Sequence, residues 1–342
     1  MALSKRVGPR RAIAAAICAG LAGLAGFALT AAAYNKTFRP PPADKNVTIS
    51  NGGLAITFNI AWGGVVVAIA DRNVAHGLNI VDANDVGREL QVCQFLSAVI
   101  GGRKELMINP TQAGALGDQP YYGHPNAALI PEKGSPVMEW KASRTRFHVV
   151  VNPWDYDNGN PTKWVYIEDV VIDSMGVAHF HYTFHDNEPR MYSMVTEVPT
   201  LYSDRTGAYM YPLVSPYGRA GARLRRQKGA KWPVKMVTGA PAWPQKPIES
   251  KGWIANIDTG DDIGVFYTTP VGFTEDYGNF TGYDISDRLP LGKTNVVARE
   301  AAAGPGGVYS IDFSVLVSTP AKGPALIARQ PAAVFRVVSK GQ

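Results

Sequence analysis

The stretch "VAHFHYTFHD", residues 177–186, decides the fold class of this chain. Bulky aromatic residues alternate with polar ones along it, which is the period of a β-strand with one buried face. The aromatic face would carry Phe180, Tyr182 and Phe184, and the opposite face His179, His181, Thr183 and His185. We therefore predict a strand whose aromatic side enters a hydrophobic core and whose histidine side turns outward or into a groove.

The same kind of pattern recurs along the rest of the chain. Alternating or β-branched runs are separated by turn-forming clusters, and Asn51-Gly52-Gly53 lies between two of them as a hairpin signal. The chain holds 35 glycines and 25 prolines, which suit many turns. Amphipathic periodicity of the helical kind is weak throughout. We predict an all-β protein with few short helices, folded as one large β-sandwich domain over residues 47–342.

The first residues predict a targeting segment. Four basic residues precede an apolar run over residues 12–33 that ends in three alanines. A basic start, an apolar middle and small residues at the end are typical of a secretory signal peptide, here residues 1–33. The alternative is an uncleaved membrane anchor, because the run approaches the length of a membrane span. Residues 34–46 are rich in proline and predict a linker, so the mature protein is expected in the periplasm or outside the cell.

The charge balance argues against nucleic acid as a partner. The whole chain has a formal net charge of +6, and the four basic residues before the apolar run belong to the predicted signal. A nearly neutral remainder lacks the basic surface that nucleic acids require. The signal also contains Cys18, so Cys93 has no intrachain disulfide partner and is predicted to be a packed thiol rather than a nucleophile. Membrane contact is expected only through the N-terminal signal or anchor.

A second stretch, "DVGRELQVCQF", carries hydrogen-bonding groups on both predicted strand faces. Alternation places Arg88 with Leu90 on one face and Glu89 with Gln91 on the other. Burying a charge or an amide without a partner costs several kcal/mol. These side chains therefore either form a paired network at a sheet edge or line a water-filled cleft. Sugar hydroxyls suit such a cleft, because arginine, glutamate and glutamine offer donors and acceptors side by side.

The segment "INPTQAGALGDQPYYGHPN", residues 108–126, predicts a long ordered loop rather than a strand or helix. Long irregular segments in compact domains are usually functional or disordered, and this one is rich in aromatic and turn-forming residues. Its Tyr121 and Tyr122 rings suit stacking on sugar rings, while Gln112 and His124 add polar contacts. The alternative is a loop that merely covers one end of the sandwich.

The motif "TEVPTLY" places a lone carboxylate, Glu197, before Val-Pro at the end of a predicted strand. A carboxyl at the rim of an apolar, aromatic site has its pKa raised by desolvation and can protonate a glycosidic oxygen. Glu89 or Asp276 would be the second carboxylate, which activates water or attacks the anomeric carbon. The alternative for Glu197 is a structural salt bridge to Arg190 or Arg205.

The histidines of the first stretch have two interpretations. Histidines two positions apart on a strand can share a metal ion, but no flanking carboxylate completes a known zinc spacing. Histidines that bond to sugar hydroxyls or move protons fit the pattern better. The sequence thus predicts no metal and no cofactor.

Several of these motifs together resemble secreted bacterial carbohydrate-active proteins with a galactose-mutarotase-like β-supersandwich. The motifs are "WGGVVVAI", "LNIVDANDVGRELQVCQF", "NPTQAG", "TEVPTLY" and "KGWIANIDTGDDIGVFYTTP", which occur in that order over most of residues 55–280. The chain departs from the pattern at Ile254 and in the histidine-rich strand. The resemblance implies a supersandwich fold, a glycan partner, and a sugar cleft lined by Arg88, Gln91, Gln112 and Glu197.

Three functions follow from these predictions. The first is an exported glycoside hydrolase in which Glu197 is the acid and His179, His181, His185 and Arg88 hold the substrate. The second is a polysaccharide lyase, in which His181, His185 or Tyr122 removes a proton next to a uronate carboxyl that Arg88 neutralises. The third is a protein that binds glycan without turning it over. All three require the polar side chains of several strands and one loop to meet in a single trough.

Overall fold

The computed structural model describes residues 45–81, 90–98, 106–108, 135–153, 162–189, 192–203, 210–214, 251–258, 262–271, 279–286 and 289–339. These residues form seventeen strands, one short helix and two 3₁₀ turns. The strands are β1 Asn46–Asn51, β2 Leu54–Asn59, β3 Val65–Asp71, β4 Leu90–Ala98, β5 Leu106–Ile108, β6 Val137–Ala142, β7 Arg146–Val151, β8 Val165–Ile172, β9 Ala178–Asp186, β10 Tyr192–Ser203, β11 Met210–Val214, β12 Lys251–Asp258, β13 Ile263–Val271, β14 Asn279–Ser286, β15 Leu289–Ala303, β16 Gly307–Ser318 and β17 Val334–Ser339. The helix is α1 Gly323–Ile327, and the 3₁₀ turns are Ile60–Trp62 and Ala75–Gly77.

Three antiparallel sheets make up the described part of the fold. The smallest has the order β1-β2-β3, and a five-stranded sheet has the order β14-β15-β10-β4-β5. The largest is a nine-stranded sheet with the order β11-β12-β13-β16-β9-β8-β7-β6, to which β17 adds by pairing with β16. Neighbours in this sheet are often distant in sequence, since β9 pairs with β16.

One core joins the three sheets. Ile56 of β2, Leu90 of β4 and Phe180 of β9 are buried in the same hydrophobic cluster. The aromatic face predicted for β9 is buried, and its Phe180 ring stacks on Phe313 of β16 with ring centroids 4.9 Å apart. The other face of β9 is only partly buried. The structure therefore confirms an all-β sandwich whose core lies between the nine-stranded sheet and the two smaller ones.

Two tight turns interlock at one end of this core. The hairpin predicted at Gly52-Gly53 joins β1 to β2, and both glycines adopt positive φ, 59° and 108°. A Cβ on Gly52 would lie 2.3 Å from the backbone nitrogen of Gly176, in the turn between β8 and β9. The side-chain amide of Asn51 also donates to the Ile172 carbonyl at 3.1 Å. Only glycine fits at this contact, because it lacks the Cβ and tolerates the backbone angle.

A smaller core lies on the outer side of the nine-stranded sheet. Helix α1 packs Ile327 against Trp253, Phe266 and Leu316. Gly323 at its start sits so close to the Phe266 ring that a Cβ would come within 2.1 Å of it. This helix covers the outer side of the sheet around β12, β13 and the end of β16. The outer faces of β7, β8 and β9 lie beside this covered region, further along the strand order. Among the described residues, none of the helical segments has the length and apolar character of a membrane span.

Candidate functional site

Glu197 lies in the middle of the five-stranded sheet. It belongs to β10, where it pairs with Cys93 of β4 on one side and Val297 of β15 on the other. The register with both neighbours shifts between Glu197 and Thr200, which is the signature of a β-bulge. Proline has no N–H to give to a ladder, so the Val-Pro pair that follows Glu197 explains why the bulge forms there. Bulges of this kind are frequent next to active sites, where they re-aim a side chain.

A row of polar residues crosses the same face of this sheet. Residues directly opposite each other in antiparallel strands share a face. Thr200 pairs with Gln91 of β4 and with Asn295 of β15, and Asn295 pairs in turn with Asn279 of β14. The extra residue of the bulge lies in β10, and β4 continues its regular alternation. Gln91 lies two positions from Cys93 in β4, so the two share a face. Glu197 pairs with Cys93 and therefore belongs to the same face. A further row on that face pairs Tyr202 with Lys293 and Lys293 with Thr281.

The opposite face of the five-stranded sheet belongs to the core. Leu90 and Val92 of β4 are fully buried, as are Thr196 and Leu201 of β10. In the strand register, Gln91 alternates with Leu90 and Val92 in β4, and Glu197 follows Thr196 in β10. This register accounts for Gln91 in "DVGRELQVCQF", which alternates with buried Leu90 and Val92. We call the set of strand positions Gln91, Glu197, Thr200, Asn279, Asn295 and Lys293 the glutamate face.

The structure brings together two of the residues that the sequence predicts for the site, Glu197 and Gln91. Three more lie in β9, away from the glutamate face: His179, His181 and His185. The other predicted site residues lie outside the described residues, and their predictions stand as predictions: Arg88, Glu89, Gln112, Tyr121, Tyr122, His124 and Asp276. The strand register adds four residues to the candidate site: Thr200, Asn279, Asn295 and Lys293. Pairing between distant segments brings them together, and local sequence patterns do not show such pairing.

The histidines of β9 lie on the outer face of the nine-stranded sheet. His179, His181 and His185 alternate with the buried aromatic residues of the same strand. Those aromatic residues share a core cluster with Leu90 and Val92, so the core separates the histidines from the glutamate face. The single trough predicted from the sequence therefore does not hold for His181 and Glu197. The physical reason is that β9 turns its aromatic face toward the core that it shares with Leu90 and Leu201 of the five-stranded sheet, and its histidine face away from that core.

Each of two β9 histidines is held by a carboxylate. His181 Nδ1 donates to Asp312 Oδ1 of β16 at 2.6 Å, and His181 Nε2 lies 3.1 Å from the Thr183 hydroxyl. The guanidinium of Arg336 in β17 also bonds to Asp312. His179 contacts Asp173 at 3.2 Å through Nε2 and the Ser314 hydroxyl at 3.0 Å through Nδ1.

A fourth histidine on this face, His148, was missed by the sequence analysis. His148 of β7 lies 2.8 Å from Asp169 of β8, and Asp169 stands opposite His181 in the register. The signal was present in "RFHVVV", where His148 alternates with buried Phe147 and Val149. His148, Asp169, His181 and Asp312 thus form one row across four strands.

These contacts favour the ionised form of two carboxylates of the outer face, Asp312 and Asp173. Burial pushes the pKa of Asp312 up, but hydrogen bonds from His181 and Arg336 outweigh that effect and leave the pKa below its ordinary value. The pKa of Asp173 is lowered in the same way, because hydrogen bonds from the Val177 and Met175 backbone and from His179 outweigh burial. Carboxylates with low pKa values accept protons poorly, so they serve as fixed partners for the histidines.

The inner face of the same sheet holds a carboxyl of the opposite kind. Glu168 of β8 is buried opposite Tyr182, and burial raises the pKa of Glu168 to about 8. The nearby Tyr182 hydroxyl lowers the pKa of Glu168 somewhat, but less than burial raises it. Among the described residues, neither the Tyr182 hydroxyl nor Glu168 Oε1 has a hydrogen-bond partner of normal geometry. Asp186 at the end of β9 is also buried, and desolvation raises its pKa to about 7. The sequence analysis missed both groups.

Metal ligation has no geometric support in the part of the chain that the structure describes. No three histidine, cysteine, aspartate or glutamate side chains converge there as metal ligands. The carboxylates that contact histidines pair with one ring each.

Comparison with known proteins places the chain near solved structures at low similarity. No protein-family model and no curated protein sequence matches it. The Slr1438 protein from Synechocystis sp. PCC 6803 shares 10% identity at a TM-score of 0.46, covering 84% of this chain and 99% of its own. A GalM/aldose epimerase homologue from C. elegans shares 12% identity at a TM-score of 0.44, covering 80% and 98%.

A galactose mutarotase-like protein from Clostridium acetobutylicum shares 12% identity at a TM-score of 0.42, covering 80% of this chain and 95% of its own. Two of these three proteins bear the names of the fold family that the sequence resembles. None of them assigns a residue or an activity to this chain, and the sandwich architecture is established by the strand pairing and the shared core.

Proposed function

We propose that this protein is an exported carbohydrate-active protein whose sugar site is the glutamate face. The observation that carries the proposal is the register of the five-stranded sheet. It pairs Thr200 with Gln91 and Asn295, pairs Asn295 with Asn279, and places Glu197 across the bulge from this polar row. Amides and hydroxyls in a row offer donors and acceptors at the spacing of neighbouring strands, about 4.8 Å. A sugar, which has hydroxyls on adjacent carbons, is the ligand that uses such a row best.

The reaction that we propose is hydrolysis of a glycosidic bond. Glu197 would protonate the leaving oxygen, and a second carboxylate would activate water or attack the anomeric carbon. Glu89 and Asp276 are the candidates for that second role. In sequence, Glu89 directly precedes β4, and Asp276 lies three residues before β14. Both strands contribute residues to the glutamate face, which supports their choice over other carboxylates of the chain.

The lyase alternative draws less support from the geometry. Two of its proposed bases, His181 and His185, lie on the far side of the core from the five-stranded sheet, and the third, Tyr122, lies outside the described residues. Binding without turnover remains the alternative that the glutamate face supports equally well, since the same polar row would hold a glycan in either case.

Glu197→Gln tests the assignment. The change keeps the size of the side chain and removes its proton chemistry, so hydrolysis of an accepted glycan should fall by about 10² to 10⁴-fold while binding persists. Reducing ends released from a panel of polysaccharides measure the activity of the wild type and the variant. The matched control is Glu139→Gln, an exposed glutamate on β6 paired with Lys141 at 2.5 Å, which should leave turnover unchanged.

Other outcomes of the same panel separate the alternatives. An ultraviolet-absorbing unsaturated product would identify a lyase, and binding without any product would identify a glycan-binding protein. Conversion of a purified anomer, followed by polarimetry, tests epimerase activity. Undiminished hydrolysis by Glu197→Gln would remove Glu197 from the chemistry. Export is tested separately, by sequencing the N-terminus of the protein recovered from the periplasm or medium of a producing bacterium.

A further inference from the structure

Strand β6 lies at an edge of the nine-stranded sheet and is exposed on both of its faces. Among the described strands it pairs only with β7. Every residue from Met138 to Ala142 is exposed, and 64% of Met138 and 47% of Trp140 contact solvent. A strand edge of this kind presents backbone N–H and C=O groups that another strand can use. Strand β6 therefore offers both backbone groups and a large aromatic side chain to a partner strand.

The two faces of β6 have different characters. Trp140 pairs with Val149 of β7, which is buried in the main core, so Trp140 continues the core side of the sheet out into solvent. Glu139 and Lys141 lie on the other side, where Lys141 stands opposite His148. The Lys141 ammonium contacts the Glu139 carboxylate at 2.5 Å. One face of this edge is thus aromatic, and the other carries one charge of each sign, two positions apart.

The hydrogen bonds of the β6–β7 hairpin fix which backbone groups face the open edge. The Ser143 N–H donates to the Arg146 carbonyl at 2.9 Å, so this residue pair is a hydrogen-bonded one. Hydrogen-bonded and non-hydrogen-bonded pairs alternate along an antiparallel ladder. The backbone groups of Ser143 and Lys141 therefore point toward β7, and those of Trp140 and Ala142 point away from it. A partner strand has to bond to the outward groups of Trp140 and Ala142.

A second copy of β6 that runs antiparallel to the first complements this edge in one register. Outward backbone groups must meet outward groups, which excludes every register that places Trp140 opposite Glu139 or Lys141. With the two Trp140 residues opposite each other, each Glu139 stands opposite Lys141 of the other copy. A shift of two residues in either direction instead places Glu139 opposite Glu139 or Lys141 opposite Lys141, and like charges directly opposite are destabilising. The strand is therefore self-complementary about a two-fold axis at Trp140.

We propose that two copies of this chain associate through β6, edge to edge, so that their nine-stranded sheets continue into each other. The two Trp140 side chains meet on the core side, and two Glu139–Lys141 pairs between the copies form on the other side. The register shift between Val137 and Glu139 ends the regular ladder, so the pairing is short. A short contact gives a weak dimer whose population depends on protein concentration. The inference goes beyond the proposed hydrolysis at Glu197 and does not depend on it.

Sedimentation velocity of the full chain over a range of concentrations tests the proposal. The wild type should shift from monomer to dimer as its concentration rises. Lys141→Glu places carboxylates opposite each other and Glu139→Lys places ammonium groups opposite each other, so each should weaken dimerisation by at least about tenfold. Lys322→Glu, the same charge change at an exposed residue before α1, should dimerise like the wild type. Glu139→Gln should do so too, because its amide oxygen still accepts from Lys141.

Two rescue experiments separate this contact from a loss of folding. The double variant E139K/K141E exchanges the two charges and restores both pairs between the copies, so it should dimerise like the wild type. An equimolar mixture of K141E and E139K should form mixed dimers, because one copy then carries two carboxylates and the other two ammonium groups. A monomer at every concentration would overturn the proposal in favour of a different partner strand. A dimer that both single variants retain, as association through residues 12–33 would give, or a double variant that stays monomeric would overturn it as well.

Discussion

Glu168 and Asp169 are neighbours in sequence, yet they occupy the two faces of β8 and behave in opposite ways. Asp169 is about half exposed on the outer face and bonds to His148 at 2.8 Å. Glu168 is buried on the inner face, where desolvation raises its pKa to about 8. The outer face satisfies its carboxylates with partners on neighbouring strands, and the inner face keeps a carboxyl that is protonated at neutral pH. Glu168 therefore makes stability fall as pH rises, whereas Asp312, on the outer face of the same sheet, makes stability rise with pH.

The aromatic packing of the inner face is the feature with the largest expected effect. Phe180→Ala would remove a ring that stacks on Phe313 and lies beside Tyr182, and it would leave a cavity in the main core. We expect a loss of about 3–5 kcal/mol in the free energy of unfolding, measured by urea denaturation. Met175→Ala, in the exposed turn before β9, is the control and should leave the midpoint unchanged. A loss below about 1 kcal/mol would contradict the packing described for this face.

The pH dependence of the inner face gives the second prediction. The pKa of Glu168 is raised on folding, so its contribution to stability is complete below about pH 4.5 and is lost as pH rises toward about 8. Between pH 5 and 7.5 the loss is on the order of 3 kcal/mol. Glu168→Gln cannot titrate, so urea denaturation over this range should show a flatter decline in stability than the wild type.

Part of the decline should survive in Glu168→Gln, because Asp186 has its pKa raised to about 7 and titrates in an overlapping range. Adding Asp186→Asn should remove most of the remainder. An unchanged slope in both variants would show that neither carboxyl is held protonated by the fold.

The outer face is expected to give a smaller effect of opposite sign. The pKa of Asp312 is lowered on folding, so its contribution is present above about pH 4 and is lost as pH falls through the lowered pKa. Since 38% of its side chain is exposed, solvent screens the pairs with His181 and Arg336. Asp312→Asn should therefore cost only about 0.5–1 kcal/mol at neutral pH.

The matched control for Asp312→Asn is Glu139→Gln, which breaks the exposed pair with Lys141 and should shift no unfolding midpoint. Thermal unfolding at pH 7 and pH 3 measures both variants. A gain in stability on replacing Asp312 at pH 7 would mean that its bonds do not offset the cost of its partial burial.

The sequence predicts the architecture well because strand alternation is a local property. The pattern of "VAHFHYTFHD" predicts which side chains of β9 are buried, and glycines at positions 52 and 53 predict the first hairpin. Pairing between distant strands has no such local signature. His181 meets Asp312 because β9 pairs with β16, a partner 131 residues away in sequence.

The candidate site shows the same division. Alternation alone separates Gln91 from the apolar residues of β4, but only the register shows that Thr200 and Asn295 lie beside it. The prediction that His181 and Glu197 share one trough failed. It relied on the polar faces of single strands, and these do not show on which side of the core each strand lies. Glu168 was missed because a glutamate in a strand is expected at the surface. Burial of such a residue depends on the whole fold.

The contact between Gly52 and Gly176 has a consequence for the order in which the protein assembles. The β1–β2 hairpin is synthesised before the other described strands, but the surface that it contacts is made by residues more than 120 positions later. Before the β8–β9 turn has formed, the hairpin lacks the surface on which Gly52 packs. An isolated hairpin is barely stable in water. We expect closure of this long loop to come late and to slow folding, because non-local contacts fold slowly in general. We therefore expect the β1–β2 hairpin to pack last, on strands formed by the middle of the chain.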